Sequence, residues 1–398
     1  MFESLKPLPA DPILGLMAAH RADTNPKKVD LGVGVYKDEQ GRTPVMRAVK
    51  AAESRLLANQ DTKTYVSPAG QEIFNHLVAG LIFGDKLRDN LSTRRVTFQT
   101  PGGCGGLRLA AEFIQKVRPA ARILVSDPTW ANHVPLLGEA GLQIEKYPYY
   151  DYQQHAIRFD AMMDNISKAG PGDLVLLHGC CHNPCGADLN REQWQQIAEL
   201  SLEKGFTPFI DLAYQGLGDG IDEDCFGVRL LADTLPELIV VSSCSKNFGL
   251  YRERTGSLSV ITANADTSKA AASQIAATAR GIYSMPPDHG AAVVSEILND
   301  DSLNSDWLSE LGDVRSRIHG LRTSLVEALS QKGIDQDFSF IQREKGMFSF
   351  LGLNVEQVHT LINRYSIYLV DSSRVNIAGI NSSNIDYLAE SIGAVLAE

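Results

Sequence analysis

The stretch Leu238-Ile239-Val240-Val241-Ser242-Ser243-Cys244-Ser245-Lys246-Asn247-Phe248-Gly249 decides how this chain reads. Four aliphatic residues in a row, bounded by turn-forming residues, describe a buried strand. Open α/β sheets built from such strands hold their ligands just beyond the strands' carboxyl ends. Lys246 falls at that place, with small hydroxyls before it and Arg254 after it. An amine set among groups that suit a phosphate is equipped to condense with a phosphorylated aldehyde. Taken alone, the same lysine reads equally well as a surface residue at a strand end.

Outward from this stretch the pattern alternates. Helical periodicity covers about 45–58 and 70–83. The strand Arg95-Val96-Thr97-Phe98 then leads into the glycine loop Gly102-Gly103-Cys104-Gly105-Gly106 and a helix near 104–117. Further strands are expected at Ile123-Leu124-Val125, Leu174-Val175-Leu176-Leu177 and Pro208-Phe209-Ile210. Short apolar strands separated by longer helices imply an α/β fold, a mostly parallel, doubly wound sheet covered on both faces. A long helix over about 305–332 should carry the chain out of this domain. Strands near Met347–Phe350 and Ile367–Val370 and a terminal helix should then form a smaller α+β domain. The expected division is 1–43 as an N-terminal arm and part of the small domain, 44–313 as the large domain, and 314–398 as the small C-terminal domain.

Several motifs share this frame. Asp127-Pro128-Thr129-Trp130, His178-Gly179-Cys180-Cys181-His182-Asn183-Pro184-Cys185-Gly186 and Asp211-Leu212-Ala213-Tyr214 lie at or beyond strand ends. Arg280 stands in Ala279-Arg280-Gly281-Ile282-Tyr283-Ser284, and Arg374 in Arg374-Val375-Asn376-Ile377-Ala378-Gly379. Together with the glycine loop and the Lys246 run, this series resembles the fold-type I pyridoxal phosphate aminotransferases, specifically the bacterial aspartate and aromatic amino acid aminotransferases of class I. The likeness runs from Asp11-Pro12-Ile13-Leu14 to the end of the chain.

The resemblance implies a role for each matched residue. Lys246 would hold pyridoxal 5'-phosphate covalently and, once released by substrate, act as general base. Asp211 would pair with the protonated ring nitrogen, Trp130 would stack on the ring, and Asn183 and Tyr214 would bond its hydroxyl. His133 and His178 would support Asp211. The phosphate would fall to Gly102, Gly103, Cys104, Ser243, Ser245 and Arg254, with Tyr65 donated by the partner subunit of a homodimer. Substrate would meet Gly34, Trp130 and Asn183. Arg374 would clamp the α-carboxylate, and Arg280 of the neighbouring subunit would read the distal carboxylate of a dicarboxylic amino acid. The Asn183–Pro184 bond would be cis. The partners implied are an amino acid and a 2-oxo acid, the second being 2-oxoglutarate, worked in a ping-pong cycle.

Each residue also has a plainer reading. Trp130 can be a core aromatic, Asp211 a helix cap or ion-pair partner, the histidines satisfied core residues, and either arginine a surface ion pair. The glycine loop matches neither the dinucleotide fingerprint nor the Walker loop. Ser243-Cys244-Ser245-Lys246 satisfies S-x-x-K, but the S-D-N and K-T-G elements of serine acyl-enzymes do not occur. A pyridoxal-binding transcriptional regulator would carry a basic helix-turn-helix segment ahead of Asp11, and none is seen. Lyases would not need the second arginine.

Composition narrows the partners. A net charge of −11 disfavours nucleic acid, whose phosphates require a basic surface. No secretory signal or membrane-length apolar run is seen, so a soluble, cytoplasmic protein is expected. The six cysteines include three within His178–Gly186. No second C-x-x-C pair completes a tetrahedral site, and Cys180 and Cys181 would face opposite ways if the strand continued. Reduced thiols and no metal are therefore expected.

Substrate preference is divided. Val35, Lys37 and Thr43 look like the aspartate-specific branch, whereas Thr64, Cys104 and Met285 do not. Met285 offers compliant apolar surface to a ring, and the reading favours an aromatic amino acid aminotransferase that keeps aspartate activity over a dedicated aspartate enzyme.

Overall fold

Seven strands form one sheet in the larger of two units, Pro44–Ser316. In chain order they are β1 (Arg95–Pro101), β2 (Arg122–Asp127), β3 (Gln143–Pro148), β4 (Leu174–His178), β5 (Thr207–Leu212), β6 (Leu238–Ser243) and β7 (Thr255–Ile261). The structure is a computed structural model that describes residues 1–7 and 12–398, so the start of the family likeness at Asp11 lies outside the described residues. Across the sheet the order is β1-β7-β6-β5-β4-β2-β3. Pairings are parallel except for those of β7, which runs antiparallel between β1 and β6.

Both faces of the sheet are covered, which is why its central strands read as continuous apolar runs. Ile123 and Val125 of β2, Leu174 and Leu176 of β4, and Ile239 and Val241 of β6 share one core cluster. Helix α1 (Gly102–Val117) adds Leu107, Ala110 and Ile114 to it, and helix α2 (Ala265–Tyr283) adds Ile275. The alternate residues Leu124, Val175, Leu177 and Val240 belong to the opposite face and are equally buried. The fold is thus α/β, mostly parallel and doubly wound.

Two strands of this sheet are absent from the sequence reading. β7 is buried throughout, yet Ser257 and Ser259 interrupt its apolar pattern. Their hydroxyls are satisfied inside the sheet, Ser257 by Ser242 at 2.7 Å and Ser259 by Thr97 at 2.9 Å. β3 is one of the two edge strands and carries Glu145 and Lys146, charges that discourage further pairing. α1 begins at Gly102 rather than near 104.

The smaller unit comprises Met1–Thr43 and Arg317–Glu398. The helix α3 (Asp301–Gln331) starts ahead of its expected position near 305 and enters this unit. Val29–Asp30 pairs in parallel with Ile367–Tyr368, a strand shorter than the sequence suggested. β8 (Phe348–Phe350) pairs antiparallel with β9 (Arg374–Asn376). Arg322 of α3, 1% exposed, anchors β8: it donates to the carbonyls of Ile341, Lys345, Gly346 and Phe348 and lies 3.8 Å from Glu344. Among the described residues no helix is long and apolar enough to cross a membrane.

Candidate active site

The register of the sheet sets one group of side chains in a row. His178 at the end of β4 is paired with Asp211 of β5, and Leu212 with Ser242 of β6. Ser243 closes β6, and the chain turns through Ser245 to Lys246. β1 ends at Pro101, where α1 starts. The residues therefore collect at the carboxyl edge of the parallel strands, where this kind of sheet binds ligands.

Asp211 is buried and takes a 3.0 Å hydrogen bond from His133 Nε2. The other ring nitrogen, His133 Nδ1, lies 2.8 Å from Thr129 Oγ1, which is 3.1 Å from His178 Nε2. Burial alone would raise the Asp211 carboxyl. The His133 bond, with smaller electrostatic contributions from its neighbours, Lys246 among them, more than offsets it and holds the group below the usual carboxylate range. Burial pushes His178 well down and His182 down to about 3, so both rings stay neutral. His182 stacks on Tyr149 at 4.2 Å and lies 3.1 Å from Cys185 Sγ. Trp130 meets His133 edge to face, with centroids 5.2 Å apart.

Lys246 Nζ sits over the Tyr214 ring, 4.6 Å from its centroid. Its packed surroundings push the ammonium below its ordinary pKa, helped by Arg254 and opposed by Asp211. Tyr214 accepts a 3.3 Å bond from Asn183 Nδ2. The Asn183–Pro184 bond is cis, as is Asp127–Pro128.

An anion cradle adjoins the lysine. The first-turn amides of α1 have no intrahelical acceptor, and the helix end is positive. The glycine run is this first turn and not a loop; only Gly102, at φ +69°, is outside the usual L region. A Cβ on Gly102 would lie 2.6 Å from Arg254 Nη2, and one on Gly256 2.7 Å from the Gly102 backbone. Side chains are thus kept out of the place where helix end and guanidinium converge. Ser243 Oγ bonds Ser245 Oγ at 3.0 Å beside it. Gly103 is the next amide, and Cys104 Sγ lies 4.0 Å from Asn132 Nδ2. An anionic partner for a ring nitrogen, an amine for an aldehyde and a cradle for a phosphate match the three polar ends of pyridoxal phosphate.

Not every expected residue joins this group. Tyr65 is 87% exposed, and Arg280, in the last turn of α2, is exposed too. Gly34 and Arg374 belong to the smaller unit, where Arg374 is buried and donates to the Gly32 carbonyl at 2.8 Å. Cys180 and Cys181 would face opposite ways only if the strand continued, and it does not. β4 ends at His178 and Cys181 has φ +50°, so both thiols and an Asp224 carboxylate oxygen lie within 4.8 Å of one another. The sequence reading assigned no role to Thr129 or His182, although both lie within motifs it singled out.

A reactive amine at the strand ends of a sheet with this topology is the arrangement of fold-type I pyridoxal phosphate enzymes. Residues 26–392 match the family of class I and II aminotransferases, and the chain belongs to that family. It is a pyridoxal phosphate-dependent aminotransferase, acting on amino and 2-oxo acids. The chain is 48% identical to the aspartate aminotransferase of Escherichia coli strain K12, over all of both chains. It is 46% identical to the aromatic-amino-acid aminotransferase of Paracoccus denitrificans, covering 98% of this chain and 99% of that one. The crystal structure of the Burkholderia pseudomallei aromatic-amino-acid aminotransferase, covalently bound to pyridoxal phosphate, superposes with a TM-score of 0.97 at 42% identity, covering 100% of this chain and 99% of that chain.

Proposed function

We propose that this aminotransferase moves the amino group of phenylalanine, tyrosine or tryptophan, and of aspartate, to 2-oxoglutarate, as a cytoplasmic homodimer. The observation that carries the chemistry is Lys246, its ammonium pushed down by its surroundings, beside an Asp211 held anionic. A lysine poised this way serves both as covalent anchor and as base.

Bound here, pyridoxal phosphate supplies an electron sink that acidifies the substrate's α-carbon proton. The chain's own residues do the rest. Asp211, kept anionic by His133, holds the ring nitrogen protonated. Arg254, Ser243, Ser245 and the amides of Gly102, Gly103 and Cys104 hold the phosphate, and Trp130 covers the ring. Asn183 and Tyr214 bond the ring hydroxyl. The Lys246 amine would accept the proton released from the substrate α-carbon. Arg374 takes the α-carboxylate and Gly34 flanks the substrate. Tyr65 and Arg280 serve the active site of the partner subunit, a reading supported by their exposure and by exposed apolar side chains in the same unit, Leu57 and Ile73.

The aromatic reading rests on Thr64, Cys104 and Met285 standing where the aspartate branch differs, and on the likeness of the segment Ser242 to Tyr251 to aromatic aminotransferases. Relatives of both names lie at nearly equal identity, 48% and 46%, so overall similarity does not favour either. A dedicated aspartate enzyme is the second reading, favoured by Val35, Lys37 and Thr43. Two of these have local partners: Lys37 pairs with Asp30 at 2.9 Å and Thr43 bonds the Tyr36 carbonyl at 2.9 Å. Steady-state kinetics with phenylalanine, tyrosine and aspartate against 2-oxoglutarate decide between them. Turnover of all three supports the dual enzyme; turnover of aspartate alone leaves the second reading.

A further inference from the structure

β8 and β9 place an aromatic ring diagonally across from the buried arginine. Phe350 is paired directly with Arg374, and Phe348 with Asn376. Residues offset by two on adjacent strands share a face and remain within reach when the side chains are long. The Arg374 guanidinium carbon accordingly lies 4.3 Å from the Phe348 ring centroid. At its Cζ end the ring presses on Gly34. A Cβ built there would stand 2.8 Å from Phe348 Cζ. Asn376 fixes that approach, donating from Nδ2 to the carbonyls of both Val33 and Val35, at 2.6 and 2.8 Å.

We propose that Phe348 is a positioning residue for carboxylate recognition, its ring fixing the Arg374 guanidinium and requiring glycine at position 34. This rests on the reading that Arg374 clamps the substrate α-carboxylate. A bidentate pair needs two parallel N–H bonds and so tolerates little tilt of the guanidinium. The ring face sets the plane of the guanidinium by cation–π contact. The Gly32 carbonyl, bonded to Nη2 at 2.8 Å, sets its rotation within that plane. Arg374 is 6% exposed and Phe348 2%, so neither is screened by water. Gly34 then has a steric duty beside its place near substrate: any side chain there displaces the ring, and with it the guanidinium.

The test uses the holoenzyme and four variants: Phe348→Leu, Gly34→Ala, their double variant and Arg374→Ala. Half-reaction kinetics with aspartate and phenylalanine are measured, with calorimetric binding of 3-phenylpropionate, which has one carboxylate and no amine. Thermal melts report folding. Phe348→Leu should raise KM for both amino acids and Kd for 3-phenylpropionate together, roughly 5- to 30-fold, with kcat within about twofold. Gly34→Ala should weaken the same quantities in the wild-type background and add little in the Phe348→Leu background, because the contact it disturbs is already gone. An unchanged Kd in a folded Phe348→Leu protein, with Arg374→Ala impaired, overturns the role of Phe348 and leaves Arg374 as the clamp. Full additivity of Gly34→Ala and Phe348→Leu overturns the steric link. Binding and kinetics unaffected in Arg374→Ala overturn the clamp itself, and the proposal with it.

Discussion

Asp211 Oδ2 and His133 Nε2 are joined by a 3.0 Å hydrogen bond between two buried side chains. Burial and this bond act on the carboxyl in opposite directions, and the bond, with its neighbours, prevails. Removing it should reverse the sign. Asp211, held below the ordinary carboxylate value of about 3.9, contributes stability above that pH and loses it as pH falls through its lowered value. In His133→Phe, burial dominates and raises the carboxyl, so the ionised form becomes a cost at neutral pH. The variant should lose about 1.5–3 kcal/mol at pH 7, the worth of a hydrogen bond to a charged group, and recover part of it toward pH 5. Urea unfolding from pH 4 to 8 checks this; a constant difference across that range would contradict it.

Lys246→Ala should still bind pyridoxal phosphate, because Asp211, Arg254 and the α1 amides are untouched. Transamination should fall by several orders of magnitude, roughly 10³-fold or more, as one amine serves as anchor and base. Borohydride reduction followed by mass spectrometry should find no covalent adduct in the variant and one in the parent. Near-normal turnover without added amines would remove Lys246 from both roles.

Cys180, Cys181 and Asp224 converge as metal ligands would, yet they should stay empty. The Asp224 oxygens already accept from the amides of Gly216, Gly218 and Asp219 at 2.7–2.9 Å. A thiol must ionise to bind a metal such as zinc, and its hydrogen bond with Cys181, together with burial, pushes Cys180 well above its ordinary pKa. Elemental analysis of the purified enzyme should show no stoichiometric zinc or copper. Finding it, with a lower melting temperature after chelation, would overturn this.

The parts legible in the sequence are those whose neighbours do not matter. Leu238–Val241 and Leu174–Leu177 announce buried strands because both their faces are apolar. Lys246 and Asp211 stand out because ionisable residues closing such strands need a reason to be there. Thr255–Ile261 is equally buried but hides its serines against Ser242 and Thr97, a solution visible only when the strands are paired. Thr129 is likewise anonymous until it is seen bridging His133 and His178. Phe348 reads as one more core aromatic until its ring is found against both Arg374 and Gly34. Periodicity tells which face a side chain takes, but not what waits on it.

Arg374 and Arg280 should separate by substrate. Arg374 is buried and braced, as a reader of the carboxylate common to every amino acid would be, so Arg374→Ala should impair all substrates. Arg280 is exposed at the end of α2, and in the proposed reading it serves a neighbouring subunit and pairs only with a second carboxylate. Truncating one partner of a buried charge pair costs about 2–5 kcal/mol, roughly a factor of 30 to several thousand in specificity. Arg280→Ala should therefore cut kcat/KM for aspartate by that factor and for phenylalanine far less, since an aromatic ring forms no such pair. Half-reactions keep the dicarboxylate 2-oxoglutarate out of the comparison. Equal losses on both substrates would sink Arg280 as the distal-carboxylate reader. Undetectable phenylalanine turnover in the parent enzyme would instead sink the aromatic preference and leave an aspartate aminotransferase.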